Sequence, residues 1–223
     1  CSSDLSEIEG ELEDHSIIEG IFVFCCVWSI GAVLVPNARE EFDLFLRNVA
    51  EISLPSGSIY DSFFNMETRR WEKWVDKVKE YQPPTPFEFY RILVPTQDSV
   101  LYTYLLKRSL FVEKPTLFVG ESGTAKTVTI QNHLAQLENE KFLLLNINFS
   151  SRTTSMDVQR NVEENVDKRT GKVYGPTFGK KLIVFVDDMN MPKVDIYGTQ
   201  QPIALLLFLM AHSSMYDRRD RKS

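Results

Sequence analysis

The stretch that most constrains this chain is Thr116–Leu134, TLFVGESGTAKTVTIQNHL. A short apolar run leads into a glycine-rich turn, which leads into a helical pattern. That order is what a phosphate-binding loop requires: a strand, a turn whose backbone N–H groups face inward, and a helix N-terminus aimed at an anion. The consensus G-x-x-x-x-G-K-[ST] is met at Gly120, Lys126 and Thr127, with Ala125 where the second glycine would stand. The cradle is therefore Gly120, Glu121, Ser122, Gly123, Thr124, Ala125, Lys126 and Thr127. Gly120 permits the turn out of the strand, and Gly123 lets the backbone approach the phosphates. Lys126 neutralises the β- and γ-phosphates of a bound nucleotide, and Thr127 offers its hydroxyl to Mg²⁺. If the Ala125 slot demands φ > 0, its Cβ costs on the order of 1–2 kcal/mol. The competing reading is a glycine-rich strand–helix turn with an incidental lysine.

A site of this kind needs a carboxylate at the end of a neighbouring strand. Leu182–Val186, LIVFV, reads as a strand buried on both faces, with Asp187 and Asp188 emerging at its C-terminal end. In a parallel sheet that end shares an edge with the phosphate loop. Asp187 lies 61 positions after Lys126, room for a helix, a strand and a second helix. We read Asp187 as the Mg²⁺ ligand and Asp188 as the carboxylate that polarises an attacking water. Either aspartate alone could instead be a polar cap on a buried strand.

The rest of the chain fits an α/β fold: a P-loop αβα parallel sheet, preceded by a mainly helical segment. Residues 17–50 read as helix, with Phe42, Leu44, Phe45, Leu46, Val49 and Ile52 giving a broad apolar face. Trp71, Trp74, Val75 and Val78 recur at helical spacing before prolines intervene, and the two tryptophans read as packing anchors. Thr96 and Asp98 start a helix that points Val100, Leu101, Tyr104 and Leu105 inward. A strand is expected at Phe142–Phe149, and a helix carrying Val158, Val162 and Val166 follows it. The segment 170–181 reads as a loop or hairpin, and TQQPIALLLFLMAH as a final buried helix. The expected division is 1–60, a helical closing segment; 61–86, a connector; and 87–223, the phosphate-loop domain, with the loop at 120–127 and the acidic strand at 182–188.

Composition narrows the partners. Lys and Arg number 25 against 31 Asp and Glu, a net charge of −6. With no dense basic stripe, this disfavours nucleic acid. The three cysteines, two of them adjacent, lack framework spacing and read as reduced thiols. No histidine pairs with a cysteine at zinc-ligand spacing. Ile21–Val35 is uncharged over 15 residues and is closed by Pro36. It is shorter than the ~20 residues a spanning helix needs, so we expect a buried helix and no membrane.

Three segments carry a family resemblance: LFVGESGTAKTVTIQNHL, NFSSRTTSMDVQRNVEENVDKRTGKVYGP and VFVDDMNMPKVDIYGTQQPIALL. They closely resemble dynein heavy chains of the axonemal type, specifically the third of the six AAA+ units of the motor ring. RILVPTQDSVLYTYLL resembles the lead into that unit, and FVFCCVWSIGAVLV with EEFDLFL and SGSIYDSFF the closing part of the second unit. The resemblance covers nearly the whole chain. It implies an αβα large subdomain that binds ATP or ADP with Mg²⁺ and regulates the main hydrolytic site. Gly120, Gly123, Lys126 and Thr127 take the Walker A roles, and Asp187 and Asp188 the Walker B roles. The implied partners are neighbouring AAA+ units of the same heavy chain, dynein intermediate and light chains, and microtubules. The implied setting is the cytoskeleton of a ciliary or flagellar axoneme, and the implied activity is minus-end-directed motility.

Two departures matter. Ala125 replaces glycine, as a small residue does in some axonemal dyneins, and Asp188 replaces the usual glutamate. One methylene less withdraws the carboxylate, and slow turnover follows. Both ends read as cuts in a longer chain. We expect the sensor strand, the lid and the arginine finger to lie outside these residues, and the uncovered sheet edge to promote aggregation. The readings that stand at this point are a regulatory nucleotide module, a catalytically silent ring segment, and a stand-alone P-loop ATPase or kinase.

Overall fold

Pro36 sets the first structural boundary. In the computed structural model, which describes residues 15–81, 94–176 and 179–216, helix α1 (His15–Ser29) is followed by a 3₁₀ turn (Gly31–Val33) and then by α2 (Pro36–Val49). Proline suits a first helical position because its φ is already helical and its missing N–H has no helical partner there. The acidic residues 1–14, the proline-rich segment with the following RIL (82–93), and the charged run 217–223 lie outside the described residues.

The chain divides into two units, residues 1–117 and 118–223. In the first, α1 buries Ile17, Gly20, Val23 and Val27, a stripe at three- and four-residue spacing. Val23 and Val27 form a core with Leu46, Ile59 and Tyr60, flanked by Trp28, Phe42 and Trp71. The Tyr60 hydroxyl donates to the Gly31 carbonyl at 3.1 Å, and burial raises its pKa. His15–Val33 is long and apolar enough to cross a membrane by length and composition. The expectation of a buried helix holds on one face: Ile18 and Phe22 are exposed on the other. The broad apolar face expected of α2 is also only partly used. Leu46 is buried, whereas Leu44, Phe45 and Val49 are exposed.

Residues 70–78 correct the helical expectation. Strands β1 (Ser62–Asn65) and β2 (Arg70–Lys73) pair antiparallel, with Phe64 opposite Trp71, and a 3₁₀ turn (Trp74–Lys77) follows. The tryptophan spacing suits a helix, but cross-strand aromatic packing outweighs so weak a propensity. The packing role expected of the pair is observed. Trp74 is 1% exposed and stacks on Phe63 at 4.5 Å. Helix α3 (Gln97–Phe111) begins at a capping box in which Thr96 and Ser99 bond reciprocally. It inserts Leu101 beside Phe63 and Trp74, with Val100, Tyr104 and Leu105 around them.

In the second unit, helix α4 (Lys126–Leu134) leads to strand β3 (Phe142–Asn148), helix α5 (Ser155–Glu163) and a small hairpin of β4 (Asp167–Lys168) and β5 (Tyr174–Gly175). Strand β6 (Lys181–Asp187) and helix α6 (Gln201–His212) complete it. β3 and β6 pair in parallel, from Phe142 opposite Lys181 to Asn148 opposite Asp187. Ile147, Phe149 and Val158 form the core, joined by Leu145, Val186, Met189, Ile203, Leu205 and Leu206.

Four expectations are corrected here. Residues 116–119 form no strand among the described residues, and Leu117 and Val119 are 67% and 85% exposed. Strand geometry needs a partner for its N–H and C=O groups, and no described strand supplies one. Among the described residues β6 has a single paired neighbour, β3, so its residues are half-buried or exposed rather than enclosed on both faces. α6 is likewise buried on one side only, leaving Leu207 and Met210 exposed. α5 stops at Glu163, which places Val166 in the turn beyond it.

Candidate functional site

The glycine-rich turn closes directly onto α4. Gly123 has φ +80°, and Ala125, the residue that caps α4, has φ +56° and ψ +19°. The condition under which the Ala125 Cβ is costly, a positive φ, is met. Alanine is held there in a left-handed conformation that glycine adopts freely. The Ala125 carbonyl still accepts from the Thr129 N–H at 3.0 Å, so the first helical bond forms.

Lys126 folds back over the loop. Its Nζ donates to the Gly120 carbonyl at 2.9 Å, to the Glu121 carbonyl and to the Thr124 hydroxyl at 3.0 Å. An ammonium has three donors, and all three are used on loop oxygens. The Thr124 hydroxyl in turn donates to the Glu121 carbonyl at 2.9 Å. The loop thus carries its own cation at its centre, on oxygens that an incoming phosphate would have to replace. Glu121, Ser122 and Gly123 are exposed.

The register of β3 and β6 places Asp187 at the last paired position, where the Phe149 N–H also bonds its carbonyl at 3.0 Å. The Thr127 hydroxyl donates to Asp187 Oδ1 at 3.1 Å, a contact across sixty positions of sequence. Asp187 Oδ1 also accepts from the Asp188 N–H at 3.0 Å. Two hard oxygen ligands, a hydroxyl and a carboxylate, therefore meet at the N-terminus of α4, a donor pair suited to Mg²⁺.

Asp188 stands apart from this contact. It is exposed, has φ +50°, and its carbonyl accepts from the Met191 N–H at 2.9 Å to form a tight turn. Among the described residues its carboxylate has no hydrogen bond to the loop. The fold thus brings together Thr127 and Asp187, gathers Lys126 over Gly120, Glu121 and Thr124, and leaves Asp188 on the adjoining turn.

Sequence reasoning passed over the residues that hold this turn. The Gln200 amide donates to the Asn190 carbonyl at 3.0 Å and to the Pro192 carbonyl at 2.6 Å. Asp195 Oδ1 accepts from the N–H groups of Tyr197 and Thr199, each at 2.9 Å. The available signal was the aspartate two residues before Tyr-Gly, which marks an Asx turn.

Residues 81–223 match the family model of the P-loop containing dynein motor region, and residues 3–76 that of the dynein heavy chain AAA lid domain. The chain is 46% identical over 222 residues to the dynein-1-alpha heavy chain of the flagellar inner arm I1 complex of Chlamydomonas reinhardtii. It is 44% identical over 226 residues to human dynein axonemal heavy chain 10 and 37% identical over 211 residues to mouse dynein axonemal heavy chain 2. These alignments cover 93%, 95% and 93% of this chain, and about 5% of each relative.

Proposed function

The chain belongs to the dynein heavy chains, as a stretch of their P-loop motor region, and from that premise we propose that residues 118–223 carry a regulatory nucleotide site of an axonemal motor. The observation that carries the reading is the pairing of Thr127 with Asp187 beside a lysine centred on the glycine-rich turn. Each is the oxygen or ammonium that a Mg-nucleotide would engage. Lys126 would exchange its loop carbonyls for phosphate oxygens, and Gly120, Glu121, Ser122, Gly123, Thr124 and Ala125 would present backbone N–H groups around them. Thr127 and Asp187 would hold Mg²⁺, which on binding supplies charge neutralisation at the phosphates. Asp188 would orient the water, and its short side chain places it far enough back for slow hydrolysis.

The parent activity proposed with this site is ATP-driven movement along microtubules in a cilium or flagellum. The partners are neighbouring AAA+ units, and intermediate and light chains serve the parent. Residues 1–86 would close the preceding unit and connect to this one, in keeping with the lid-domain match over 3–76.

Titration calorimetry of this chain with MgATP tests the site. Binding is expected to be weak, to require Mg²⁺ and to fall by at least about tenfold (~1.4 kcal/mol) in Lys126→Ala. Tight, Mg-independent binding that Lys126→Ala leaves unchanged overturns it. The second reading, a ring segment that never turns over, draws on the shortness of Asp188. Single-turnover hydrolysis in the parent heavy chain, with and without Asp188→Asn, separates the two: equal rates favour the silent segment.

A further inference from the structure

We propose that Gln200 is the positioning residue that holds Asp188 in place for the water-activating role; the inference rests on the nucleotide-site reading above. Asp188 is a non-glycine residue at φ +50°. Such a conformation persists only where the surrounding structure over-determines it. The carboxylate itself contributes nothing to this, since among the described residues it has no hydrogen-bond partner. Its place is set through the backbone alone: the Asp188 N–H on Asp187 Oδ1, and the Asp188 carbonyl under the Met191 N–H.

That turn would be free to open on its far side but for Gln200. The Gln200 amide nitrogen has two hydrogens, and both are used, on the Asn190 and Pro192 carbonyls that flank Met191. Gln200 is itself anchored through its backbone. It is the cap of α6, its carbonyl accepts from the N–H groups of Ile203 and Ala204, and Ile203 packs into the core of Ile147, Phe149 and Val158. Asp195 fixes the loop between them by accepting from Tyr197 and Thr199. A continuous path therefore runs from the core, through the start of α6 and one side-chain amide, to the turn that carries Asp188. A glutamate at 200 would face two carbonyl oxygens with an acceptor, and a methionine would fill similar volume without a donor.

The test uses this chain and its Gln200→Met, Gln200→Glu, Asp188→Asn and double variants, with two readouts. In hydrogen exchange, Gln200→Met is expected to speed the Met191 amide by ~10-fold or more and to leave the β3 amides unchanged, as a local opening does. In binding, MgADP affinity is expected to stay within about twofold while affinity for MgADP with aluminium fluoride falls ~10- to ~100-fold, the scale of a small misplacement of a reacting group. Gln200→Glu should lose at least as much. In the Asp188→Asn background Gln200→Met should cost nothing further, because the two residues act as one unit. Equal loss for both ligands, faster exchange throughout β3, or losses that add would each show a merely structural role and overturn the proposal. An unchanged Met191 amide in a chain that binds MgADP overturns it alone. A wild-type chain without MgADP affinity overturns the nucleotide-site reading and this proposal together.

Discussion

The two units are held together differently. Residues 15–81 with α3 enclose a continuous aromatic and aliphatic core in which Ile59, Trp74 and Val27 are almost wholly inaccessible. The second unit has a smaller core around Ile147, Phe149 and Val158, and a parallel sheet of two strands among the described residues. Its candidate site is ordered by directional bonds: Lys126 on three loop oxygens, Thr127 on Asp187, Gln200 on two carbonyls. Burial is non-directional and adds up over area, whereas hydrogen bonds fix orientation at modest net gain. The first unit is held mainly by burial, and the second orders its candidate site mainly by directional bonds.

All three tryptophans, Trp28, Trp71 and Trp74, belong to the first unit, so their fluorescence reports on it alone. The largest expected effect is on that signal. Phe63 stacks on Trp74 at 4.5 Å and lies 5.8 Å from Tyr104. Phe63→Ala should cost ~3–5 kcal/mol in urea unfolding followed by tryptophan emission. MgATP affinity is expected to survive it under native conditions, and a parallel loss would break the contrast. Gly20→Ala comes next. A Cβ there would sit 2.4 Å from the Phe64 ring, which is itself packed edge-on against Trp71 at 5.6 Å. The ring has little room to yield, and we expect a loss of ~1–3 kcal/mol by the same measurement. A neutral result would mean that the aromatic core repacks more freely than its burial suggests.

How much of this was legible beforehand depends on where each signal resides. Lys126, Thr127 and Asp187 stand out in the sequence because a phosphate loop needs fixed residue types at fixed spacing, and the fold brings Thr127 and Asp187 into contact. Thr96 was readable as a cap because capping is local. Trp71 and Trp74 were misread as helical because a spacing of three also fits a strand running into a 3₁₀ turn, and the choice is made by Phe63 and Phe64. Leu117 and Val119 read as strand residues because they are apolar, yet a strand forms only where another pairs with it. Gln200 left no signal, because its partners are main-chain carbonyls eight and ten residues away and any sequence offers those.

Ala125→Gly addresses the second unit. Removing the Cβ relieves an αL alanine, worth about 1–2 kcal/mol. Added freedom of the unfolded chain offsets about 0.4–1 kcal/mol of that. The net expectation is a gain between about 0 and 1.6 kcal/mol, read as slower exchange of the Thr129 amide bonded to the Ala125 carbonyl. Tryptophan-monitored stability should not move. Faster Thr129 exchange would mean that alanine stiffens the loop more than it strains it.

The smallest effects are in acid, and they set one carboxylate of each unit side by side. Glu72 accepts from the Thr68 hydroxyl and the Asn65 amide, each at 2.7 Å, and pairs with Lys77 at 3.0 Å. Those bonds, Thr68 first, hold its pKa below the usual carboxylate range. Asp157 is lowered in the same direction by the Thr154 hydroxyl and N–H of the α5 capping box. A carboxyl whose folded pKa is depressed binds its proton more readily when unfolded. Its contribution is therefore complete above the ordinary carboxylate pKa and is lost as pH falls through the lower, folded value. Both groups face solvent, so screening keeps each contribution small. Glu72→Gln should flatten the acid limb of tryptophan-monitored stability, and Asp157→Asn that of helical circular dichroism, with the tryptophan signal unaffected. If Asp157→Asn also flattened the tryptophan curve, the two units would be melting as one and the distinction drawn between them would fail.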